Sequence, residues 1–314
     1  MAGIINKLHQ SRFFGKVFHT LIYCLQKELK DCETVLDLGC GPNSPIKYCK
    51  GIKYSVGVEV FKPYLIESKK RKIHTKYLNQ KIEEVDFPEK SFDAVILIEV
   101  LEHLSEKQGR EILKKAEKWA KKKVVVSSPN GFINQKEVDG NKYQKHLSGG
   151  SLQRMRDLGY ESRGLAGLKF LRQEVQSDTM GDDLLTSIRF RPKFFWFMVA
   201  TLSQTFSYFL PQVAFELFSV KRKKVLLLSR PFGGFKHVYA GEQSTARSIY
   251  SVLNKDFAVD SVKALIVPPH SSVLSLIFYD WIYPFYFSLK NLFNRYSVVV
   301  FNAPFQALAI DLFK

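Results

Sequence analysis

The sequence predicts an α/β protein built on a doubly wound parallel sheet. Three observations carry that prediction. Short apolar runs alternate with helical, lysine-rich stretches through the first 130 residues. The first run leads straight into a glycine turn, Gly39-Cys40-Gly41. The second run ends on an acidic residue, Glu59.

The elements follow in order. Residues 4–29 place Ile4, Ile5, Leu8, Phe14, Val17, Phe18, Leu21, Ile22 and Leu25 at helical spacing, which predicts one amphipathic helix. Thr34–Leu38 (TVLDL), Tyr54–Val58 (YSVGV), Phe92–Ile98 (FDAVILI) and Lys123–Ser127 (KVVVS) read as buried strands. Helical periodicity occupies residues 62–73 and 105–121. Ser148 or Ser151 can cap a helix running to Leu158, with Gly159 ending it. Tyr160–Leu171 suggests one or two further strands. Phe194–Val220 is strongly apolar, with Arg189, Arg191 and Lys193 before it and Lys221–Lys224 after it. Val225–Ser229 (VLLLS) then starts a new strand, so a boundary is expected near residue 223, giving domains 1–222 and 224–314.

Composition bounds the rest. The chain has 314 residues, 46% hydrophobic and 25% charged, enough for a large core and too apolar for wholesale disorder. Lys and Arg number 47 against 30 acids, a net charge of +17 that attracts polyanions of any kind. The four cysteines, Cys24, Cys32, Cys40 and Cys49, match no zinc spacing, so neither a metal site nor a disulfide framework is expected. The N-terminus lacks the unbroken apolar core of a signal peptide. The expected location is cytoplasmic, with or without peripheral contact to an anionic membrane.

The chemistry-bearing stretch is Val35-Leu36-Asp37-Leu38-Gly39-Cys40-Gly41-Pro42-Asn43-Ser44. Gly39 and Gly41 let the backbone bend sharply and let a ligand approach. Asp37 can hold a cation or steer the loop. Glu59 can accept both hydroxyls of a ribose. The loop lacks the third glycine of GxGxxG, and nothing signals a pyrophosphate. That favours a nucleoside without phosphates, of which S-adenosylmethionine is the common one.

With VLDLGCGPNS, GVEV (57–60), FPEKSFDAVILIEVLEHL (87–104) and VVVSSPNG (124–131) in order, the chain resembles class I S-adenosylmethionine-dependent methyltransferases of the type 11 group. The resemblance extends to about residue 222 and implies a Rossmann-like methyltransferase sheet. It implies that Asp37, Gly39, Cys40 and Gly41 line the cofactor, that Glu59 binds its ribose, and that Val60 and Ile82 flank its adenine. It places Glu99 and Val100 at the methionine end and His103 just beyond. Lys81 stands where the family often has an acid facing the adenine amine, which leaves the reading to Ile82's backbone or to Glu83.

Glu99 interrupts an apolar run, so it is expected at the strand end facing a cleft. Glu102 and His103 can equally be a helix cap. His146, in KYQKHLSGG, is either a loop residue or part of an acceptor pocket, as is Tyr143. Glu99, His103 and His146 are the candidate catalytic groups. Phe194–Val220 reads either as a helix or hairpin at a membrane interface or as core helices or a lid, with polar Ser203, Gln204, Gln212 and Glu216 arguing against a spanning helix. The acceptor is expected to be a small or lipid-like molecule. Nucleic acid is disfavoured because no NPPY-type tetrapeptide occurs, SPNG being the nearest. A non-catalytic scaffold with a degenerate pocket is the other alternative. Residues 224–314 resemble the opening of a family 4-type glycosyltransferase, without its nucleotide-sugar half, so a partial α/β segment is expected there and no glycosyl transfer.

Overall fold

A computed structural model describes residues 11–173, 185, 187–228, 258–261 and 298–301. The chain divides into two units, Met1–Lys221 and Arg222–Lys314.

The first unit is organised by seven strands: β1 (Thr34–Leu38), β2 (Tyr54–Val58), β3 (Lys76–Leu78), β4 (Phe92–Ile98), β5 (Ala120–Pro129), β6 (Glu161–Leu168) and β7 (Ala214–Arg222). Their order across the sheet is β3-β2-β1-β4-β5-β7-β6. β1 pairs in parallel with both β2 and β4, β2 with β3, and β4 with β5, while β6 runs antiparallel to β7. The order reverses between β1 and β4, and such a switch point leaves a crevice at the carboxyl ends of the strands.

The central strands are buried on both faces, which is why they read as continuous apolar runs. Side chains alternate across the sheet. Leu36, Leu38, Val95, Leu97, Val124 and Val126 pack into one core with Ile112, Leu113, Ala116 and Trp119 of the Glu106–Trp119 helix. Val35, Ala94, Ile96 and Val125 enter the other, with Cys24, Leu25 and Leu29 of the Leu21–Leu29 helix. A reciprocal Ser105–Gln108 capping box starts the Glu106–Trp119 helix, satisfying donors the first turn leaves open.

Two expectations change. The single helix over residues 4–29 is two helices, Arg12–Phe18 and Leu21–Leu29, among the residues described. His19 takes a left-handed conformation (φ 51°) and ends the first; Thr20 then caps the second through Tyr23 N. Residues 4–10 lie outside the described residues. Phe194–Val220 is neither a hairpin nor a pair of helices. A helix spans Lys193–Phe209, and Pro211, with no N–H to continue it, opens a turn into β7. The last part of the apolar segment is therefore a strand of the sheet, between β5 and β6. Tyr160–Leu171 gives one strand, β6, and a 3-10 turn at Lys169–Leu171. Ser151, not Ser148, caps the Leu152–Asp157 helix.

The Lys193–Phe209 helix lies backbone-close on β6. A Cβ at Gly164 would stand 2.2 Å from Ser207 O, so only glycine fits there.

In the second unit, β8 (Lys224–Leu228) pairs in parallel with β9 (Ala258–Ser261) and β10 (Val298–Phe301). The expected Gly233-Gly234 loop, the helix Glu242–Leu253 and the apolar stretch 273–293 lie outside the described residues.

Candidate functional site

At the end of β1 the backbone turns through Gly39 (φ 72°) and Gly41 (φ 56°), conformations that favour glycine. Gly39 N and Cys40 N both donate to Val58 O, at 2.9 and 3.0 Å, which ties the bend to the end of β2. A Cβ on Gly39 would lie 2.7 Å from Val100 Cγ2, whereas one on Gly41 would meet nothing within 4 Å. Gly41 therefore faces open space.

Glu59 turns towards that bend. Its Oε2 accepts from Gly41 N at 3.0 Å and its Oε1 from Phe61 N at 2.7 Å. Burial pushes its carboxyl upward and the amide bonds oppose the push. Each oxygen keeps a second lone pair for a ligand hydroxyl. Asn79 Nδ2 donates to the carbonyls of Glu59 and Val60, at 2.8 and 2.9 Å, and fixes the strand end beneath them.

A cleft of about 830 Å³ opens here. Gly39, Cys40, Gly41, Glu59, Val60, Ile82, Glu99 and Val100 all line it, as do His103 and His146. Asp37 does not. It is buried below the bend, accepting from Ser44 Oγ at 2.5 Å and lying 3.3 Å from His74 Nε2. Its expected contact with the cofactor is replaced by a supporting role: it steers the loop, one of the two tasks a strand-end aspartate can perform. The Cys40 thiol is buried and pushed up by burial, so it is a packing group rather than a nucleophile. Lys81 pairs with Glu84 at 3.4 Å near the surface. Glu83 Oε1 accepts from Gln108 Nε2 at 3.1 Å, so the alternative acid is held by the next helix.

The far end of the cleft is assembled from separate elements. Glu99, at the end of β4, has φ 54° and donates its N–H to Ser127 O of β5 at 3.0 Å. Its side chain opens to the cleft. Ser127 Oγ lies 2.5 Å from Glu99 Oε1 and 2.5 Å from Glu216 Oε1 of β7. One hydroxyl proton cannot serve both, so one of the two carboxyls carries a proton and donates it to Ser127. Burial, reinforced by Glu99, pushes Glu216 up to about 8, with Arg172 opposing. Burial pushes Glu102 up to about 8 as well. Burial and the Glu102 charge push Glu99 in the same direction.

His103 follows in the Leu101–His103 turn, and His146 comes from the loop beyond β5. Their rings are 4.8 Å apart between centroids. Burial, then the neighbouring His146, lowers His103 to about 4, so it is neutral near pH 7. His146 Nδ1 is 2.7 Å from Ile133 O. A carbonyl only accepts, so Nδ1 carries the proton and Nε2 the lone pair. Tyr143 lines the same end.

Sequence reasoning missed Ser127 and Glu216, and left Glu102 evenly between a helix cap and a catalytic part. Glu102 had a local signal, since Glu99, Glu102 and His103 fall within five residues at the end of a buried strand. Glu216 had none, because its strand was not foreseen.

The cleft fits S-adenosylmethionine. Gly41 leaves room for a ligand against the bend, and the carboxylate facing it has acceptor capacity for a ribose. No curated protein matches the chain. Among solved structures, the chain is similar to a SAM-dependent methyltransferase from Archaeoglobus fulgidus, with 16% identity over 67% of this chain and 98% of that one and a TM-score of 0.40. It is also similar to the 1,6-didemethyltoxoflavin-N1-methyltransferase of Burkholderia thailandensis, with 12% identity over 64% and 75% of the two chains and a TM-score of 0.40. Similarity to a protein of Pyrococcus horikoshii OT3 reaches 23% identity over 34% of this chain, at a TM-score of 0.31, and spans half of that chain's length, 50%. The family match over residues 36–127 ends in β5 and lends no support to the glycosyltransferase resemblance of residues 224–314. Residues 36–127, from the first strand through the bend, Glu59 and the Glu99–His103 turn, match the methyltransferase domain family, which implies S-adenosylmethionine as the cofactor.

Proposed function

We propose that this chain is an S-adenosylmethionine-dependent methyltransferase acting on a small or lipid-like acceptor. The observation that carries the reading is the bend itself: an open Gly41, with the Glu59 carboxylate turned onto it. When bound, the cofactor supplies an electrophilic methyl already activated by its sulfonium. The protein's task is then placement. Gly39 and Gly41 give the cofactor a surface without side chains, Glu59 grips its ribose, and Val60 and Ile82 flank its adenine. Glu99 and Val100 stand at the methionine end.

The acceptor enters from the side of Glu99, His103 and His146. Holding its nucleophile about 3 Å from the methyl and in line accounts for most of the catalysis. Glu99, raised in pKa and open to the cleft, is the group that takes a proton where the acceptor must lose one.

Thermal shift and calorimetry with S-adenosylmethionine and S-adenosylhomocysteine test the reading. Micromolar binding that Glu59→Ala abolishes supports it. A wild-type chain that binds neither compound leaves the scaffold reading in its place.

One observation favours a lipid-like acceptor. The Lys193–Phe209 helix exposes Phe194, Phe195, Met198, Leu202, Phe206 and Phe209 at helical spacing, next to Phe13 and Val17 of the Arg12–Phe18 helix. Thr205 Oγ1 donates to Val17 O at 2.9 Å, joining the two helices. Among the described residues no helix is long and apolar enough to cross a membrane. An apolar face with Arg189, Arg191 and Lys193 at one end suits shallow docking on an anionic bilayer. Co-sedimentation with phosphatidylglycerol vesicles checks it. Retention by the wild type, and loss in an F195S/L202S/F206S variant, is expected; equal partition of both proteins removes the membrane part.

A further inference from the structure

The acceptor end of the cleft holds more ligating capacity than methyl transfer requires. Glu102 is 2% exposed, and its Oε2 has no hydrogen-bond partner. An unpaired carboxylate oxygen away from water is costly, and native structures keep such groups where something else satisfies them. The surrounding backbone is fixed. Leu147 N and Ser148 N donate to the Glu102 carbonyl at 2.7 and 3.1 Å, which binds the turn carrying Glu102 and His103 to the loop carrying His146. His103 Nδ1 lies 3.3 Å from Lys145 O, and His146 Nδ1 lies 2.7 Å from Ile133 O. Backbone carbonyls on one ring nitrogen are how metal-binding histidines are commonly oriented.

Glu102, His103 and His146 each offer one ligand atom, and these atoms lie within 4.8 Å of one another. Ligands about 2.0–2.2 Å from a divalent ion stand at most about 4.4 Å apart, so closing the set takes only small side-chain rotations. We infer that Glu102, His103 and His146 form a binding site for one divalent transition-metal cation at the acceptor end of the cleft. Two imidazoles and one carboxylate select a borderline ion such as Zn²⁺, Co²⁺ or Ni²⁺ over Mg²⁺ or Ca²⁺, which prefer all-oxygen sets. Three protein ligands leave coordination positions free, and His103 and Glu102 both line the cleft, so those positions face the acceptor. An acceptor oxygen bound there would be oriented and made easier to deprotonate. That consequence rests on the methyl-transfer reading; the site itself does not.

The test uses untagged full-length protein, stripped with chelator and titrated with CoCl₂ alone, without cofactor. The wild type is expected to take one Co²⁺ per chain with visible d–d absorption, displaced by ZnCl₂. His146→Gln and Glu102→Gln should each weaken binding roughly tenfold to hundredfold. The same proteins are assayed for S-adenosylhomocysteine-induced thermal shift in the absence of metal. Retained shift in the variants shows that they fold. Cobalt binding without any cofactor shift in the wild type sustains the metal site and removes the methyltransferase reading. Cofactor shift without saturable Co²⁺ or Zn²⁺ binding in the wild type overturns the metal site, as does binding that the folded variants leave unchanged.

Discussion

The two ends of the cleft are built on different principles. The cofactor end comes from sequence-adjacent pieces: a strand, its glycine bend, and the next strand with Glu59 at its tip. Its polar groups are matched by backbone amides and carbonyls, and the Glu59 carboxylate accepts two N–H bonds. The acceptor end draws Glu99 from β4, Ser127 from β5, Glu216 from β7 and His146 from a loop, residues up to 117 positions apart from Glu99 to Glu216. It concentrates carboxyls, with Arg172 as the cation opposing Glu216. A ligand of common shape can be held by local backbone; a ligand particular to one enzyme needs side chains brought from afar. The first end should therefore tolerate no change to its few atoms, and the second should change function without losing the cofactor.

The largest effect expected is at Glu59. Glu59→Ala removes charge-assisted bonds to Gly41 N and Phe61 N together with the acceptor proposed for the ribose. The two hydrogen bonds proposed from the ribose hydroxyls to this carboxylate, at about 1.5–3 kcal/mol each, predict a loss of S-adenosylhomocysteine affinity of about two to four orders of magnitude, read by calorimetry, while the lost amide bonds lower stability. A loss below fivefold would break the comparison, because the cofactor end would then not depend on this carboxylate.

Gly164→Ala should come next, and it probes the packing of the Lys193–Phe209 helix on β6, outside the cleft lining. The added methyl meets Ser207 O, a backbone atom that cannot rotate away. Stability is expected to fall by about 2–3 kcal/mol as the Lys193–Phe209 helix is pushed from β6. Cofactor affinity should stay within about twofold, since nothing in the β1–β2 bend touches that helix. Equal losses of both quantities would show that this packing and the cofactor end form one mechanical unit.

Much of this was legible in the sequence, for a physical reason. β1, β2 and β4 begin and end where their apolar runs do, because strands buried on both faces need apolar side chains throughout. The glycine bend and the contact of Glu59 with it were legible because both depend on immediate neighbours. β7 was hidden by its polar residues: Glu216 and Ser219 sit within an apolar segment that begins as a true helix, and only Pro211 marks the change. The break at His19 was hidden because a left-handed histidine leaves no signature in periodicity. Asp37 was placed in the right element but on the wrong side of the backbone. Alternation along β1 does not say which face of the strand end meets a ligand. Glu216 joins Glu99 only through the sheet order, which no local pattern encodes.

Asp37 gives the third prediction. Asp37→Ala leaves Ser44 Oγ without its acceptor and His74 without its neighbour, both in buried positions. A loss of about 1–3 kcal/mol in stability follows, measured by denaturant unfolding. Cofactor affinity should fall by less than for Glu59→Ala, because the loop loses support rather than a ligand contact. A larger affinity loss than at Glu59 would return Asp37 to the cofactor itself.

The smallest effect lies at the other end of the strands, where Asp31 pairs with Lys123 Nζ at 2.7 Å and Lys123 also donates to Glu28 O at 2.8 Å. The ammonium is buried while the carboxylate is partly exposed, so solvent screens much of the pair. The balance still holds the Asp31 carboxyl below its ordinary value, with Lys123 outweighing desolvation. A carboxyl depressed on folding stabilises the protein above its unfolded pKa, and that contribution disappears as pH falls through the folded value. Asp31→Asn should therefore cost under about 1 kcal/mol at pH 7 and progressively less as pH falls below about 4. It lies away from the cleft, so cofactor and metal affinities should both be those of the wild type. A cost that persists undiminished at pH 2.5 would mean that packing, rather than charge, holds Lys123 in place.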